Sequence, residues 1–225
     1  CKYGRMRAPQ ALGIISQLID ILKVAKGKGI NHRDIKPGNI MLRENGQAVL
    51  LDWGLAKIKG AAGTLAFMSL EQLEGRDTDE RSDIYSLGVT LRELLTTQRP
   101  FLNESNRALL IKEKKIYGQP ALPDDIPEKT ASLQSLLDGM MASEAEHRYQ
   151  SLEILQDDIQ TIAREIAGLQ SRMTTLAEQI GIPFPWNEYN ISETEVGADA
   201  LTEVNVGQGA VINIDSNFNH STIQN

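Results

Sequence analysis

The sequence predicts an α+β fold that is mostly helical, with one small β-hairpin and a long C-terminal helix. Three observations predict it. Apolar residues recur at helical spacing through residues 8–27, 83–95 and 152–180. An Asn-Gly turn, Asn45-Gly46, lies between two short strand-like runs. The 225 residues, 41% apolar and 24% charged, suffice for one ordinary core plus an appendage.

In chain order, residues 8–27 place Ala11, Leu12, Ile15, Leu18, Ile19, Leu22 and Ala25 on one broad helical face. Pro9 suits the first turn of that helix, and Gly27 and Gly29 suit its end. Ile40-Met41-Leu42 and Ala48-Val49-Leu50-Leu51 form the two arms of the hairpin. Residues 83–95 are apolar nearly all round (Ile84, Tyr85, Leu87, Val89, Leu91, Leu94, Leu95), which predicts a helix buried at the centre of a domain. Two further helices are predicted near 105–115 and 131–141, separated by the Pro-bearing stretch 120–127. From Leu152 the apolar positions Leu155, Ile159, Ile162, Ile166, Leu169, Met173, Leu176 and Ile180 follow at alternating intervals of 3 and 4. That pattern is an a/d heptad seam. Past Gly181 the chain has no Lys or Arg and becomes rich in Asn, Thr and Gly, with short strands suggested at 204–206 and 211–214.

Bulk properties narrow the function. The net charge of −7 argues against nucleic acid or an anionic membrane as a main partner. Cys1 is the one cysteine, so no internal disulfide forms and no oxidising compartment is implied. No apolar run approaches the ~20 residues that span a bilayer, and no signal peptide opens the chain. A cytoplasmic location is therefore expected, with membrane attachment through parts outside this span left open. The first residue is Cys rather than Met, so a fragment of a longer protein is expected.

Residues 32–39, His-Arg-Asp-Ile-Lys-Pro-Gly-Asn, gather three kinds of group on one polar loop. Asp34 offers a carboxylate, Lys36 a cation two residues later, and Asn39 a neutral oxygen. Asp52 follows at the end of the hairpin's second strand. Transfer of a phosphoryl group from ATP needs positioning and charge neutralisation more than covalent help. Here Asp34 can orient and deprotonate an acceptor hydroxyl, and Lys36 can meet the moving phosphoryl group. Asn39 and Asp52 are the hard oxygen donors that Mg2+ prefers.

Five segments carry a resemblance. His32-Arg33-Asp34-Ile35-Lys36-Pro37-Gly38-Asn39 resembles the HRDxKxxN catalytic loop of eukaryotic-type Ser/Thr protein kinases, and Asp52-Trp53-Gly54 resembles their DFG motif. Gly63-Thr64 through Ser69-Leu70-Glu71 resembles the GTxxYMAPE substrate-side segment. The run from Asp83 to Gly88 resembles the start of the family's central helix, and Glu146-His147-Arg148 its late arginine motif. The wording is closest to bacterial members. The resemblance covers roughly residues 1–165 and implies the C-terminal lobe of a kinase fold whose N-terminal lobe is absent, since no Gly-rich loop or strand lysine precedes Ala8.

What the resemblance implies for residues is specific. Asp34 would be the base, Lys36 would steady the γ-phosphate of ATP, and Asn39 and Asp52 would bind Mg2+. His32, Arg33 and Gly54 would support the site, and Thr64 would lock the substrate segment to Asp34 and Lys36. Glu71 would pair with Arg148, and Asp83 would hold the catalytic loop's backbone. The substrate would be a protein with a Ser or Thr acceptor. The chain alone is expected to be inactive; the alternative reading is a non-catalytic, pseudokinase-like binding or scaffold module.

Departures from the pattern carry expectations of their own. Leu70 and Ser69 stand where the family motif has Pro and Ala, which predicts a changed turn with the fold retained. Trp53 replaces Phe. Residues 55–62 contain no Ser, Thr or Tyr, so activation by a phosphate in that loop is not expected. The heptad seam is expected to extend the lobe as a helical segment over 166–181, through which residues 152–180 would dimerise or dock a partner helix, before a tail at 182–225.

Overall fold

A computed structural model describes residues 4–53, 65–101, 106–117, 120–126 and 128–180 of the chain. Among these, the order of the main elements is α1 (Ala8–Lys26), β1 (Ile40–Leu42), β2 (Ala48–Leu50), α2 (Leu70–Glu74), α3 (Glu80–Thr96), α4 (Arg107–Tyr117), α5 (Ala131–Met141) and α6 (Leu152–Ile180). The two strands pair antiparallel with Ile40 opposite Leu50. The expected tail strands near 204–206 and 211–214, and the tail at 182–225 itself, lie outside the described residues.

Helix α1 begins with Pro9 in its first turn, where a missing N–H forfeits no hydrogen bond. By length and a mean hydropathy of 1.2 it also passes as a membrane span, against the expectation that no run comes near one. Its packing supplies the reason: Leu12, Ile15, Leu18 and Ile19 are wholly buried, and the helix lies against α3 and α6. A helix covered by its own domain needs the same apolar sides that a bilayer would demand. Polar atoms of α1 set the hairpin beside it. The Gln17 side chain accepts the Ala48 N–H at 2.8 Å and donates to the Gly46 carbonyl at 3.3 Å.

Helix α3 is buried along nearly its whole length. Asp79 caps it by accepting the Arg81 N–H, and Thr97 ends it at a φ of 59°. Gly88 allows α3 and α5 to approach. A Cβ there would lie 2.6 Å from Met141 Cγ and 2.9 Å from Met140 Cβ.

Helix α6 is continuous, but its seam serves two surfaces. Leu152, Leu155, Ile159, Ile162 and Ile166 are buried in the core, against α1 and α5. Farther on, Met173 is 47% and Leu176 57% exposed. In urea denaturation Ile166→Asp is expected to cost about 3 kcal/mol or more, because it buries a charge, and Leu176→Asp less than about 0.5 kcal/mol. Equal costs would contradict this division of the helix.

Candidate active site

The loop at residues 32–39 is built from below. Ile35 is wholly buried and anchors it, while Pro37 to Asn39 turn as one short 3-10 segment. The Asn39 carbonyl then accepts the Leu51 N–H at 2.8 Å, which joins the loop's end to the hairpin one residue before Asp52. Asp83, on the first turn of α3, reaches up with both oxygens. Oδ2 accepts the His32 N–H at 2.8 Å and Oδ1 the Arg33 N–H at 2.7 Å. Those bonds hold Arg33 at a φ of 67°, a left-handed conformation that a non-glycine residue adopts only at a cost of order 1–2 kcal/mol.

His32 is buried beneath the loop. Burial lowers its pKa, which keeps the ring neutral. Its Nε2 lies 2.8 Å from the Leu51 carbonyl and its Nδ1 3.3 Å from the Asp34 N–H. Those partners fix the tautomer, with the proton on Nε2. The edge of the ring meets Trp53 at 4.8 Å between centroids. The Trp53 indole N–H donates to the Leu50 carbonyl at 2.9 Å, a bond that phenylalanine could not make.

Above this support Asp34, Lys36 and Asn39 meet. Lys36 Nζ lies 2.7 Å from Asp34 Oδ2, and Asn39 Nδ2 donates to the same oxygen at 3.0 Å and to the Asp34 carbonyl at 2.8 Å. Asp34 Oδ1 is buried and receives no donor among the described residues. One carboxylate oxygen is thus committed to positioning, and the other carries no hydrogen bond among the described residues. Asn39 commits its N–H groups to Asp34, so its Oδ1 is the atom left for a cation. Asp52 is exposed at the end of β2, with a φ of 60°. This oxygen-only donor set fits Mg2+. No group of three or more His, Cys, Asp or Glu side chains converges to hold a metal among the described residues, so nucleotide or water oxygens would complete the coordination. Gly54 and Thr64 lie outside the described residues, as does the segment 55–62.

A second cluster braces the site. Glu71 and Arg148 form a bidentate pair at 2.7 and 2.9 Å, both side chains almost completely buried. The remaining guanidinium N–H groups reach the Ala142, Arg81 and Ser143 carbonyls at 2.7, 3.0 and 2.8 Å. All five Arg148 donors are satisfied. Where the family motif has Ala-Pro, Ser69 and Leu70 open α2 with a capping box: Ser69 receives the Gln72 N–H while Gln72 Oε1 accepts the Ser69 N–H. Lys114 of α4 is also buried. Its ammonium donates to the Ala66 and Met68 carbonyls and stands 4.5 Å from the Tyr85 ring centre and 4.7 Å from that of Phe101.

The chain matches the protein kinase domain family over residues 2–159. It belongs to the protein kinase family. Three of its relatives in that family are bacterial. A probable serine/threonine-protein kinase of Streptomyces coelicolor is 33% identical over 170 residues, 70% of this chain and 25% of that protein. The serine/threonine-protein kinase Pkn1 of Myxococcus xanthus is 34% identical over 184 residues, 75% of this chain and 26% of that protein. The tyrosine-protein kinase MasK of Myxococcus xanthus is 35% identical over 145 residues, 60% of this chain and 22% of that protein. The chain thus spans between 22% and 32% of the length of these and other curated relatives it matches.

Two buried carboxyls give the kinase fold opposite pH responses. Burial pushes the Glu71 carboxyl up, but Arg148 and Ser82 outweigh it and bring it to about 2, below the ordinary 4.5. Its contribution to stability is full above pH 4.5 and is lost as the pH falls toward 2. Burial pushes Asp83 up to about 6 from 3.8, against the Arg33 and His32 N–H groups. Its contribution is full below 3.8 and is lost as the pH rises through 6. Urea denaturation should therefore show wild type losing stability relative to Asp83→Asn between about pH 4 and 6. A constant difference across that window would contradict the assignment.

Proposed function

We infer that this chain carries the catalytic loop of an ATP-dependent kinase that phosphorylates Ser or Thr hydroxyls of proteins. The observation that carries the reading is the Asp34 carboxylate, with one oxygen fixed by Lys36 and Asn39 and the other left without a donor. Asp34 Oδ1 accepts the proton of the acceptor hydroxyl as its oxygen bonds to the γ-phosphorus. The bond from that phosphorus to the bridging oxygen breaks, and ADP leaves. Lys36 faces the charge on the transferring group. Mg2+, when bound through Asn39 and Asp52, would neutralise phosphate charge. Asp83, Glu71 and Arg148 act through the backbone that they hold. The other wall of the nucleotide cleft is not among the described residues, so residues 1–225 alone are expected neither to bind ATP well nor to turn it over. Nucleotide titration and peptide phosphorylation, run on this chain and on the full-length protein, test that. Turnover by the chain alone at the rate of the full-length protein would refute it.

A phosphate at Ser69 is not expected to be the activating signal. Its side chain is wholly buried and occupied in the cap of α2. Phosphosite mapping of active protein that found a stimulatory phosphate at Ser69 would contradict this. For association, we assign the exposed continuation of the α6 seam at Met173 and Leu176, which a second copy or a partner helix would cover. Sedimentation of the full-length protein with Leu176→Asp tests that surface without disturbing the core. An unchanged mass would end the idea. A cytoplasmic location is part of the same proposal.

A further inference from the structure

The strained peptide at Arg33 is gripped from two sides. Below, its N–H meets Asp83. On the other side, its carbonyl accepts from Gln72 Nε2 at 2.9 Å. Gln72 belongs to α2, and the same side chain uses Oε1 to accept the Ser69 N–H at 2.9 Å, with Ser69 Oγ 3.2 Å away. Ser69 Oγ also lies 3.2 Å from Ser82 Oγ, and Ser82 donates to Glu71 at 2.6 Å. Ser82 precedes Asp83 on α3. The bonds therefore close a ring: Asp83 to Arg33, Arg33 to Gln72, Gln72 to Ser69, and Ser69 through Ser82 back to α3. Catalytic loop and substrate-side segment share one hydrogen-bonded frame.

We propose that Gln72 is a positioning residue for phosphoryl transfer, donating to the Arg33 carbonyl and so fixing the peptide that leads directly into Asp34. The proposal rests on the reading of Asp34 as the base. A capping box requires only an acceptor at this position, and Glu serves as well as Gln. The amide supplies what a carboxylate cannot, an N–H for the neighbouring carbonyl. The unit with Ser69 thus has a second task besides opening α2. Without the donor, the Arg33 carbonyl loses its side-chain partner, and the left-handed strain is opposed by the Arg33 N–H bond to Asp83 and the 3.3 Å Asp34 N–H bond to His32 Nδ1. Asp34 keeps its bonds to Lys36 and Asn39, but the peptide that leads into it is held less tightly, and a misplacement of 1 Å costs of order a hundredfold in rate.

Gln72→Glu separates the two tasks, because it keeps the cap and removes the donor. Hydrogen exchange and steady-state kinetics are measured on full-length wild type, Gln72→Glu and Gln72→Ala. For Gln72→Glu, the melting temperature should fall less than for Gln72→Ala, while the Arg33 and Asp34 amides exchange about threefold to tenfold faster, the worth of one hydrogen bond. Its kcat should fall about tenfold or more, with the KM for ATP changed less than about twofold. Gln72→Ala should add a loss of thermal stability, since it removes the cap as well. Wild-type loop exchange in Gln72→Glu would overturn the proposal, as would faster exchange with wild-type kcat. If wild-type protein transfers no phosphate at all, the functional reading falls, and the exchange data still decide whether Gln72 holds the loop.

Discussion

Asp34→Asn in the full-length protein is expected to lower kcat by about 10²–10⁴-fold, the range for losing a general base. The substitution is nearly silent structurally. The amide oxygen can take the place of Oδ2 and accept from both Lys36 Nζ and Asn39 Nδ2. The amide nitrogen then falls where Oδ1 has no donor to clash with it. The melting temperature and ATP affinity should stay close to wild type, so the loss isolates basicity from architecture. Steady-state kinetics with calorimetry of nucleotide binding check it. A kcat within a fewfold of wild type would remove Asp34 from the chemistry and leave a binding module as the better account.

Arg148→Met is expected to destabilise the fold by about 3–5 kcal/mol, because it leaves the Glu71 carboxylate buried and unpaired. Three backbone carbonyls, those of Ala142, Arg81 and Ser143, lose a donor as well. Adding Glu71→Gln should restore part of the loss, since no uncompensated charge then remains inside. The midpoints of urea denaturation for the two single variants and the double variant check this. A double variant as unstable as the sum of the singles would show that the pair contributes through independent contacts, contrary to its bidentate geometry.

Much of this architecture is legible in the sequence because it is local. The loop from His32 to Asn39 sits in one stretch, and the buried faces of α1 and α3 repeat at a helical period. The heptad seam of α6 shows the limit of periodicity. Intervals of 3 and 4 state that one face is apolar, but not whether α1 or another chain covers it, and as far as Ile166 the cover is the chain's own core. The burial of Lys114 is not legible in the sequence for a different reason. A lysine one turn after Leu110 reads as solvated, and only the tertiary fold brings two carbonyls and two aromatic faces around it. Trp53 reads as a bulkier Phe until its indole N–H finds the Leu50 carbonyl. Ser69-x-x-Gln72 is a capping-box signature in plain view, yet its second task depends on a carbonyl 39 residues away.

The most direct test of the central claim is transfer of labelled γ-phosphate to a protein substrate by the full-length protein, followed by analysis of the phosphorylated residues. The proposed function predicts label on Ser or Thr with wild type and background levels with Asp34→Asn. Equal labelling by both proteins, or label on Tyr alone, would contradict it.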